Sequence, residues 1–206
     1  MKKIIIFDFD GTIADSFPPM VKILKEQVKK MGYGDLTDKQ IEVLRSMRPL
    51  DIIRHFKFPI WKIPRLIKTV REDLFKQIND VKIFSGISEL IDNLKTKKIK
   101  YGILTSNSKK TVEAFLNANN LKGFDFIESE TNIFKKSSHL SYIVTKYLLN
   151  KNEVVYIGDE VRDIEACHEI GIDIISVTWG YNNKAVLEKN RPTFIVNSPP
   201  ELLKIL

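Results

Sequence analysis

The chain has 206 residues, with 43% hydrophobic and 29% charged side chains and a formal net charge of +7 at pH 7. This composition is typical of a soluble globular protein, long enough for one large domain or for a core domain with a smaller appendage. No apolar run is long enough to predict a transmembrane helix. Too few apolar residues follow Lys2 and Lys3 to predict a signal peptide. The single cysteine, Cys167, excludes an internal disulfide and favours a location in the reducing cytoplasm.

The first predicted element is a strand at residues 4–7, Ile-Ile-Ile-Phe. A short apolar run rich in β-branched residues is typical of a strand buried on both faces of a parallel sheet. Asp8 and Asp10 follow, and Gly11 permits a sharp turn. Because side chains alternate along an extended chain, the two carboxylates can point the same way. Such close like charges repel unless a proton or a cation lies between them, so the pair predicts a cation partner.

Residues 15–82 contain helical patterns and no convincing strand. Apolar residues recur at helical spacing over Ser16–Met31, and the segment TDKQIEVLRSM is predicted to be a second helix with Thr37 or Asp38 as its N-cap. Three prolines then separate a short helical region from a further predicted helix, RLIKTVREDLFKQI. The sequence therefore predicts an all-helical unit at this point.

After this helical unit, strands and helices alternate to the end of the chain. The predicted helices are Ile87–Lys97, KKTVEAFLNAN, SSHLSYIVTKYLL and VRDIEACHEIG, and the predicted strands are Lys100–Leu104, FDFIES, EVVYIGD, IDIISVTWG and TFIV. This alternation predicts a parallel sheet with helices on both faces. The fold class is thus α/β, with a Rossmann-like parallel-sheet core formed by residues 1–14 and 83–206 and an inserted all-helical domain at 15–82.

Polar residues follow several of the predicted strands. Ligands of an open parallel sheet bind beyond the carboxyl ends of its strands, so these residues are expected to lie close together. They are Asp8, Asp10 and Gly11 after the first strand, Thr105, Ser106 and Asn107 after a second, Lys135 and Lys136 before a helix, and Asp159, Glu160 and Asp163 after the strand EVVYIG.

This set of motifs resembles the haloacid dehalogenase superfamily, and most of all its phosphatases with a helical cap, such as the phosphoglycolate phosphatases. The resemblance covers nearly the whole chain, because DxDGT at a strand end, a Thr-Ser strand end, a lysine and GDxxxD follow one another in the family's order. It implies a Mg²⁺-dependent hydrolysis of small phosphomonoester metabolites through an aspartyl-phosphate intermediate, with the helical unit 15–82 as the cap and 2-phosphoglycolate as the favoured substrate.

The resemblance also implies roles for the acidic residues. Asp8 would be the nucleophile, and Asp10 the general acid and later the general base. Mg²⁺ would be held by Asp8, the backbone carbonyl of Asp10 and Asp159, because hard divalent cations prefer oxygen ligands. Asp163 and Glu160 would act around these ligands, with Asp163 orienting the lysine or a bound water.

The phosphoryl group would be bound by residues from three motifs. They are Gly11, Thr105, Ser106, Asn107 and Lys136. Either lysine of FKKSS can supply the cation; Lys136 is favoured because it directly precedes a predicted helix, and Lys135 is the alternative. For Asn107, contact with substrate and a purely local turn contact are both open.

Specificity is expected to come from the helical cap, since the other motifs recognise only a phosphoryl group and a cation. Arg45 and Arg48 lie near a predicted helix end, just before Pro49. Arg48 is predicted to pair with a substrate carboxylate such as that of phosphoglycolate. A solvated helix-end arginine is the alternative for both residues.

Other functions remain as alternatives to this phosphatase. A phosphomutase would share all four motifs, and a nucleotidase is compatible with the basic charge. A 2-haloacid dehalogenase would need neither a metal nor the acid at Asp10, and a non-enzymatic phosphate-binding protein should have lost the nucleophile or the acid. The scattered lysines form no basic stripe, so they favour a small anionic substrate over nucleic acid, with no membrane partner. The oligomeric state is left open by the sequence.

Overall fold

The computed structural model describes residues 4–55, 59–129 and 136–206. Lys135, the alternative phosphate-binding lysine, lies outside these residues. No helix among the described residues combines the length and the apolar character that crossing a membrane requires.

Six parallel strands form one sheet at the centre of the molecule. In spatial order they are β5 (Phe126–Ser129), β4 (Lys100–Thr105), β1 (Ile4–Phe7), β6 (Val154–Gly158), β7 (Asp173–Val177) and β8 (Phe194–Val196). The predicted α/β class with a parallel sheet is therefore confirmed. β1 lies between β4 and β6, which brings the carboxyl ends of these three strands side by side.

The strand β1 shows why the sheet is buried on both faces. Ile5 and Phe7 pack into one hydrophobic cluster, and Ile4 and Ile6 pack into a second cluster on the opposite face. Burying each of these side chains contributes roughly 1.5–3 kcal/mol. An apolar run without polar alternation thus anchors the strand between two layers of helices, as expected for a parallel sheet.

Helices cover both faces of the sheet. They are α5 (Ile87–Thr96), α6 (Lys109–Ala118), α7 (Lys136–Lys146), α8 (Val161–Ile170), α9 (Lys184–Lys189) and α10 (Pro199–Ile205). Buried side chains of α5, α6 and α10 belong to the first cluster, and those of α7, α8 and α9 belong to the second. The short helices α9 and α10 were not predicted from the sequence.

A separate group of helices lies between β1 and α5 in the chain. These are α1 (Phe17–Lys30), α2 (Asp38–Arg45), α3 (Pro49–His55) and α4 (Ile63–Lys76), with single 3₁₀ turns at Ile60–Lys62, Ile78–Asp80 and, later in the chain, Lys151–Glu153. Thr37 is the N-cap of α2, because its hydroxyl accepts a hydrogen bond from Gln40 N at 3.3 Å. Helices α1 and α2 also have a small core of their own, built around Val28, Leu36 and Ile41.

A two-stranded ribbon joins these helices to the sheet. Strands β2 (Ala14–Asp15) and β3 (Lys82–Ile83) pair in the antiparallel sense, with Ala14 opposite Ile83 and Asp15 opposite Lys82. The expectation of no strand at residues 15–82 is thus wrong at both edges, because two-residue strands carry too little sequence pattern to be detected. The division into a core and a cap domain stays a prediction.

Candidate active site

The predicted site residues lie at the carboxyl ends of three neighbouring strands. Asp8 follows β1, Thr105 is the last residue of β4, and Asp159 follows β6. Asp8, Thr105 and Asp159 are all at most 2% exposed. Neighbouring parallel strands end at the same edge of a sheet, so residues about 50 or more positions apart in the chain meet there.

The Asp8 carboxylate is buried beside a lysine. Lys136 Nζ lies 3.2 Å from Asp8 Oδ2, yet no hydrogen bond from the described residues reaches that oxygen. Burial raises the pKa of Asp8 to about 7, against the lowering effect of Lys136 and with a further contribution from the negative charge of Asp163. Asp8 therefore presents one carboxylate oxygen with unused hydrogen-bonding capacity.

Asp10 is held at one oxygen and open at the other. Asn107 Nδ2 donates to Asp10 Oδ2 at 2.8 Å, whereas Asp10 Oδ1 is buried and accepts no hydrogen bond from the described residues. Burial raises the pKa of Asp10 above its ordinary value, although the Ser16 hydroxyl and the Asn107 amide act in the opposite direction. Asn107 in turn donates its backbone N–H to Thr105 Oγ1 at 2.9 Å, so this asparagine links β4 to Asp10.

The Asp159 carboxylate is fixed at both oxygens. The Thr12 hydroxyl donates to Asp159 Oδ1 at 2.8 Å, and the backbone N–H of Tyr181 donates to Oδ2 at 2.7 Å. Gly11 has φ +76°, and a Cβ added there would lie 2.2 Å from Asp159 Oδ2. Only glycine allows the turn after β1 to approach this closely. Burial raises the pKa of Asp159 well above its ordinary value.

Lys136 and Asp163 form a buried ion pair behind Asp8. Lys136 Nζ donates to Asp163 Oδ1, and the backbone N–H of Glu160 donates to Asp163 Oδ2 at 3.0 Å. Burial lowers the pKa of Lys136, but the carboxylates of Asp163 and Asp8 outweigh this effect and raise the pKa above its ordinary value. Lys136 therefore carries a positive charge next to Asp8. The Glu160 carboxylate is paired with Arg162, at 2.5 Å from Nη2.

The three carboxylates of Asp8, Asp159 and Asp163 could hold a metal ion. Each offers an oxygen, and these oxygens all lie within 4.8 Å of one another. All three side chains are buried, so their mutual repulsion is weakly screened. Asp8 and Asp10 each have a buried oxygen without a hydrogen bond from the described part of the chain, which fits a cation with oxygen ligands, because buried acceptors otherwise find hydrogen-bond donors.

Two further predicted residues have less contact with this cluster. Ser106 is half-buried directly after β4. Arg48 forms an ion pair with Glu165 at 2.8 Å and donates to Asn190 Oδ1 at 3.4 Å, with about half of its side chain exposed. The Arg48 guanidinium thus contacts residues of α8 and of the turn after α9, and its pairing with a substrate carboxylate stays a prediction.

Sequence reasoning missed residues that hold Asp159. The Thr12 hydroxyl contacts Asp159 directly, and its position within the DGT motif was the available signal. Tyr181 supplies its contact through the backbone, so its side-chain type gave no signal. Gly180 belongs to the same set, because a Cβ at this position would lie 2.3 Å from Asp159 Oδ2.

Comparison with known proteins places these residues in a wider context. The sequence model of the family described as haloacid dehalogenase-like hydrolase matches residues 5–177. A phosphoglycolate phosphatase of Synechococcus elongatus is 33% identical over 201 residues, covering 97% of this chain and 95% of that protein. A phosphoglycolate phosphatase of Vibrio parahaemolyticus is 22% identical over 218 residues, covering 99% and 96%. The solved structure of a haloacid dehalogenase-like family hydrolase of Streptococcus pneumoniae has the same fold, with a TM-score of 0.81, 22% identity and coverage of 99% of this chain and 98% of that chain.

Proposed function

The chain belongs to the haloacid dehalogenase-like hydrolases and is a phosphoric monoester hydrolase, and from this premise we propose that it is a Mg²⁺-dependent phosphatase of small phosphorylated metabolites. The favoured substrate is 2-phosphoglycolate, since the relative that is 33% identical over 97% of this chain is a phosphoglycolate phosphatase. The observation that carries the proposal is a pair of buried oxygens, Asp8 Oδ2 and Asp10 Oδ1, that accept no hydrogen bond from the described residues, with the charged Lys136 beside Asp8.

In this proposal Asp8 is the nucleophile. Its free oxygen attacks the phosphorus atom, a bond forms between the Asp8 carboxylate and the phosphoryl group, and the bond from phosphorus to the leaving oxygen breaks. The charge of Lys136, 3.2 Å from Asp8 Oδ2, offsets negative charge on the transferring group. Asp163 orients Lys136 through their ion pair.

Asp10 is the proposed proton donor in the first half-reaction and the proposed proton acceptor in the second. Burial raises its pKa, which favours the protonated form needed to deliver a proton to the leaving oxygen. The hydrogen bond from Asn107 holds Asp10 Oδ2 and leaves Oδ1 for this transfer. In the second half-reaction the deprotonated Asp10 accepts a proton from the water that attacks the phosphorus atom of the phosphoaspartate. The bond between the Asp8 oxygen and phosphorus then breaks, which releases inorganic phosphate and restores the Asp8 carboxylate.

The residues proposed to hold Mg²⁺ are Asp8, the backbone carbonyl of Asp10 and Asp159, with Asp163 close by. When bound, the cation supplies positive charge that reduces the repulsion between the Asp8 carboxylate and an anionic phosphoryl group. Thr12 and Tyr181 keep the Asp159 carboxylate in one orientation for this purpose. Thr105 and Ser106 are proposed to bind phosphoryl oxygens, and helices α1–α4 are proposed to be the cap that covers the leaving group.

The test is phosphate release from a panel of phosphomonoesters, with and without Mg²⁺. The panel should contain 2-phosphoglycolate, ethyl phosphate of similar size without the carboxylate, a sugar phosphate and a nucleoside monophosphate. We expect Mg²⁺-dependent release, fastest from 2-phosphoglycolate. A preference for the nucleotide would favour a nucleotidase, and transfer of phosphate within the sugar phosphate would favour a phosphomutase.

Asp8→Asn provides the matched control for this panel. The change is nearly isosteric, so the variant should fold normally and lose turnover on every substrate. Mass spectrometry must show that the asparagine has not deamidated to aspartate. Undiminished hydrolysis by an intact, folded variant would refute the proposed nucleophile.

A further inference from the structure

The loop between β7 and α9 contacts Asp159 through its backbone. We define the coupling loop as residues 180–183, Gly-Tyr-Asn-Asn. Tyr181 N donates to Asp159 Oδ2 at 2.7 Å, and Asn182 N donates to the backbone oxygen of Asp159 at 3.3 Å. Gly180 packs so closely that any side chain would collide with the carboxylate. The path of this loop therefore determines where the Asp159 carboxylate lies.

The opposite side of the coupling loop is bound by the last residue of α2. Arg45 Nε donates to Tyr181 O at 3.1 Å, and Arg45 Nη2 donates to Gly180 O at 3.0 Å. The backbone oxygen of Arg45 accepts from Asn183 N at 3.0 Å and from Asn182 Nδ2 at 2.8 Å. The guanidinium thus binds the two residues whose backbone surrounds Asp159.

The side chains of Asn182 and Tyr181 also connect the coupling loop to α8 and to the start of α1. Asn182 is 5% exposed, and its side-chain oxygen accepts from Val161 N at 2.8 Å, at the start of α8. The Tyr181 hydroxyl lies 3.0 Å from Ser16 Oγ, and the Tyr181 ring packs against Phe17 with the centroids 5.2 Å apart. The start of α1 and the end of α2 therefore both contact the loop that holds Asp159.

We propose that the coupling loop links the docking of helices α1 and α2 to cation binding at Asp159, with Arg45 as the positioning residue. This inference rests on the proposed function, in which Asp159 holds the cation. If the helices move away, the hydrogen bonds from Arg45 are lost and the loop no longer fixes the carboxylate. Coupling between two equilibria is reciprocal, so a bound cation also strengthens the docking of the helices.

The direction in which Arg45→Ala changes the Mg²⁺ affinity distinguishes this coupling from a purely electrostatic effect. Arg45→Ala removes a positive charge near an acidic site, so Coulomb interaction alone predicts tighter Mg²⁺ binding. Loss of the hydrogen bonds to Gly180 O and Tyr181 O predicts the opposite result, because the Asp159 carboxylate becomes less ordered. Coupling energies of this kind correspond to changes of about fivefold or more, and we expect Mg²⁺ affinity to fall by about five- to tenfold.

The experiment is calorimetric titration of Mg²⁺ into the substrate-free wild-type chain and three variants. Arg45→Ala should bind Mg²⁺ more weakly than wild type, and Arg45→Lys, which keeps the charge with fewer donors, should give a smaller loss. Arg65→Ala is the charge-matched control, since Arg65 is exposed on α4, and its affinity should equal that of wild type. Equal or tighter binding by Arg45→Ala would overturn the inference, whereas no binding by wild type would instead refute the proposed cation site.

Hydrogen exchange tests the reciprocal effect without measuring activity. The Asn183 N–H donates directly to Arg45 O, so its exchange reports on the contact between the coupling loop and α2. Mg²⁺ should slow exchange at this amide in wild type and slow it less in Arg45→Ala. An exchange rate in wild type that does not respond to Mg²⁺, under conditions where calorimetry shows binding, would contradict the coupling.

Discussion

Removal of divalent cations should make the stability of this protein fall as the pH rises. Burial raises the pKa of Asp8 from 3.8 to about 7, so the folded metal-free state binds a proton that the unfolded state releases above its lower pKa. The loss of folding stability caused by Asp8 grows as the pH rises from the pKa of the unfolded state to the pKa of the folded state, and it is constant at higher pH. Between about pH 7 and about pH 5.5, roughly 1.5 pH units at about 1.36 kcal/mol each change the free energy of unfolding by about 2 kcal/mol.

Asp10 and Asp159 change the stability with pH in the same direction as Asp8, and Lys136 does not offset this change. Burial also raises the pKa of Asp10 and of Asp159, so their contributions likewise favour the folded state at lower pH. The pKa of Lys136 is raised from 10.5, so this side chain is charged in both the folded and unfolded states throughout the window. Acidification from about pH 7 should therefore stabilise the metal-free protein before general acid denaturation begins.

Urea unfolding in chelator at several pH values measures this effect, with Asp8→Asn as the matched control. The variant lacks the titrating group, so the stability change between pH 7 and 5.5 should be smaller than in wild type by about 2 kcal/mol. The three histidines are common to both proteins, and comparing the two removes their contribution. Saturating Mg²⁺ should flatten the wild-type profile, since it binds the ionised folded state. Equal profiles for the two metal-free proteins would refute the argument.

Three further predictions concern individual contacts and the cation. Thr12→Val removes the donor to Asp159 Oδ1 and should destabilise the protein by about 1.5–3 kcal/mol in urea unfolding at neutral pH with Mg²⁺ present, whereas Thr12→Ser should retain most of the stability; equal stability of the two variants would contradict this role. Asp10→Asn should slow hydrolysis of alkyl phosphates more than of aryl phosphates, whose leaving groups need less protonation; steady-state kinetics showing equal losses would argue against Asp10 as the acid. Chelation should abolish phosphate release, Mg²⁺ should restore it, and Ca²⁺ should substitute poorly because its shell is larger and less regular; full activity in chelator would contradict the metal dependence.

Sequence pattern predicted the elements that have strong local signals. The apolar run at β1 and the alternation of strands and helices after residue 83 were sufficient to predict the parallel sheet, because burial on both faces leaves a continuous apolar strand. The N-cap at Thr37 follows from a local hydrogen bond to a residue three positions away. The helices α9 and α10 have only six and seven residues, which is too short for a clear helical period.

The rule that ligands bind beyond the carboxyl ends of parallel strands predicts that Asp8, Asp10, Asp159 and Lys136 lie close together. This prediction depends only on the topology of the sheet. Contacts with Tyr181 and Arg45 could not be predicted, since they join backbone groups of a loop to a helix 136 residues away. The position before Pro49 and the chemistry of the guanidinium favour Arg48 over Arg45 for contact with a substrate carboxylate, which stays a prediction. Although the two arginines are three residues apart, their side chains contact different partners. Arg45 binds the coupling loop, and Arg48 forms an ion pair with Glu165.

The charge of the buried site differs from that of the basic chain, and this difference favours a bound cation. The chain has 33 lysine and arginine residues against 26 acidic ones. In the buried site, however, Lys136 lies beside Asp8 and Asp163, and an oxygen of Asp159 lies within 4.8 Å of oxygens of these two carboxylates. A phosphorylated anion is attracted to the protein as a whole, but these three carboxylates, whose charge Lys136 and Arg162 offset only in part, repel it at the site. Protonation also relieves this repulsion, but at Asp8 it would neutralise the proposed nucleophile. A divalent cation would relieve it while Asp8 stays ionised, so in the proposed mechanism the acidic cluster serves phosphoryl transfer best with a metal ion bound.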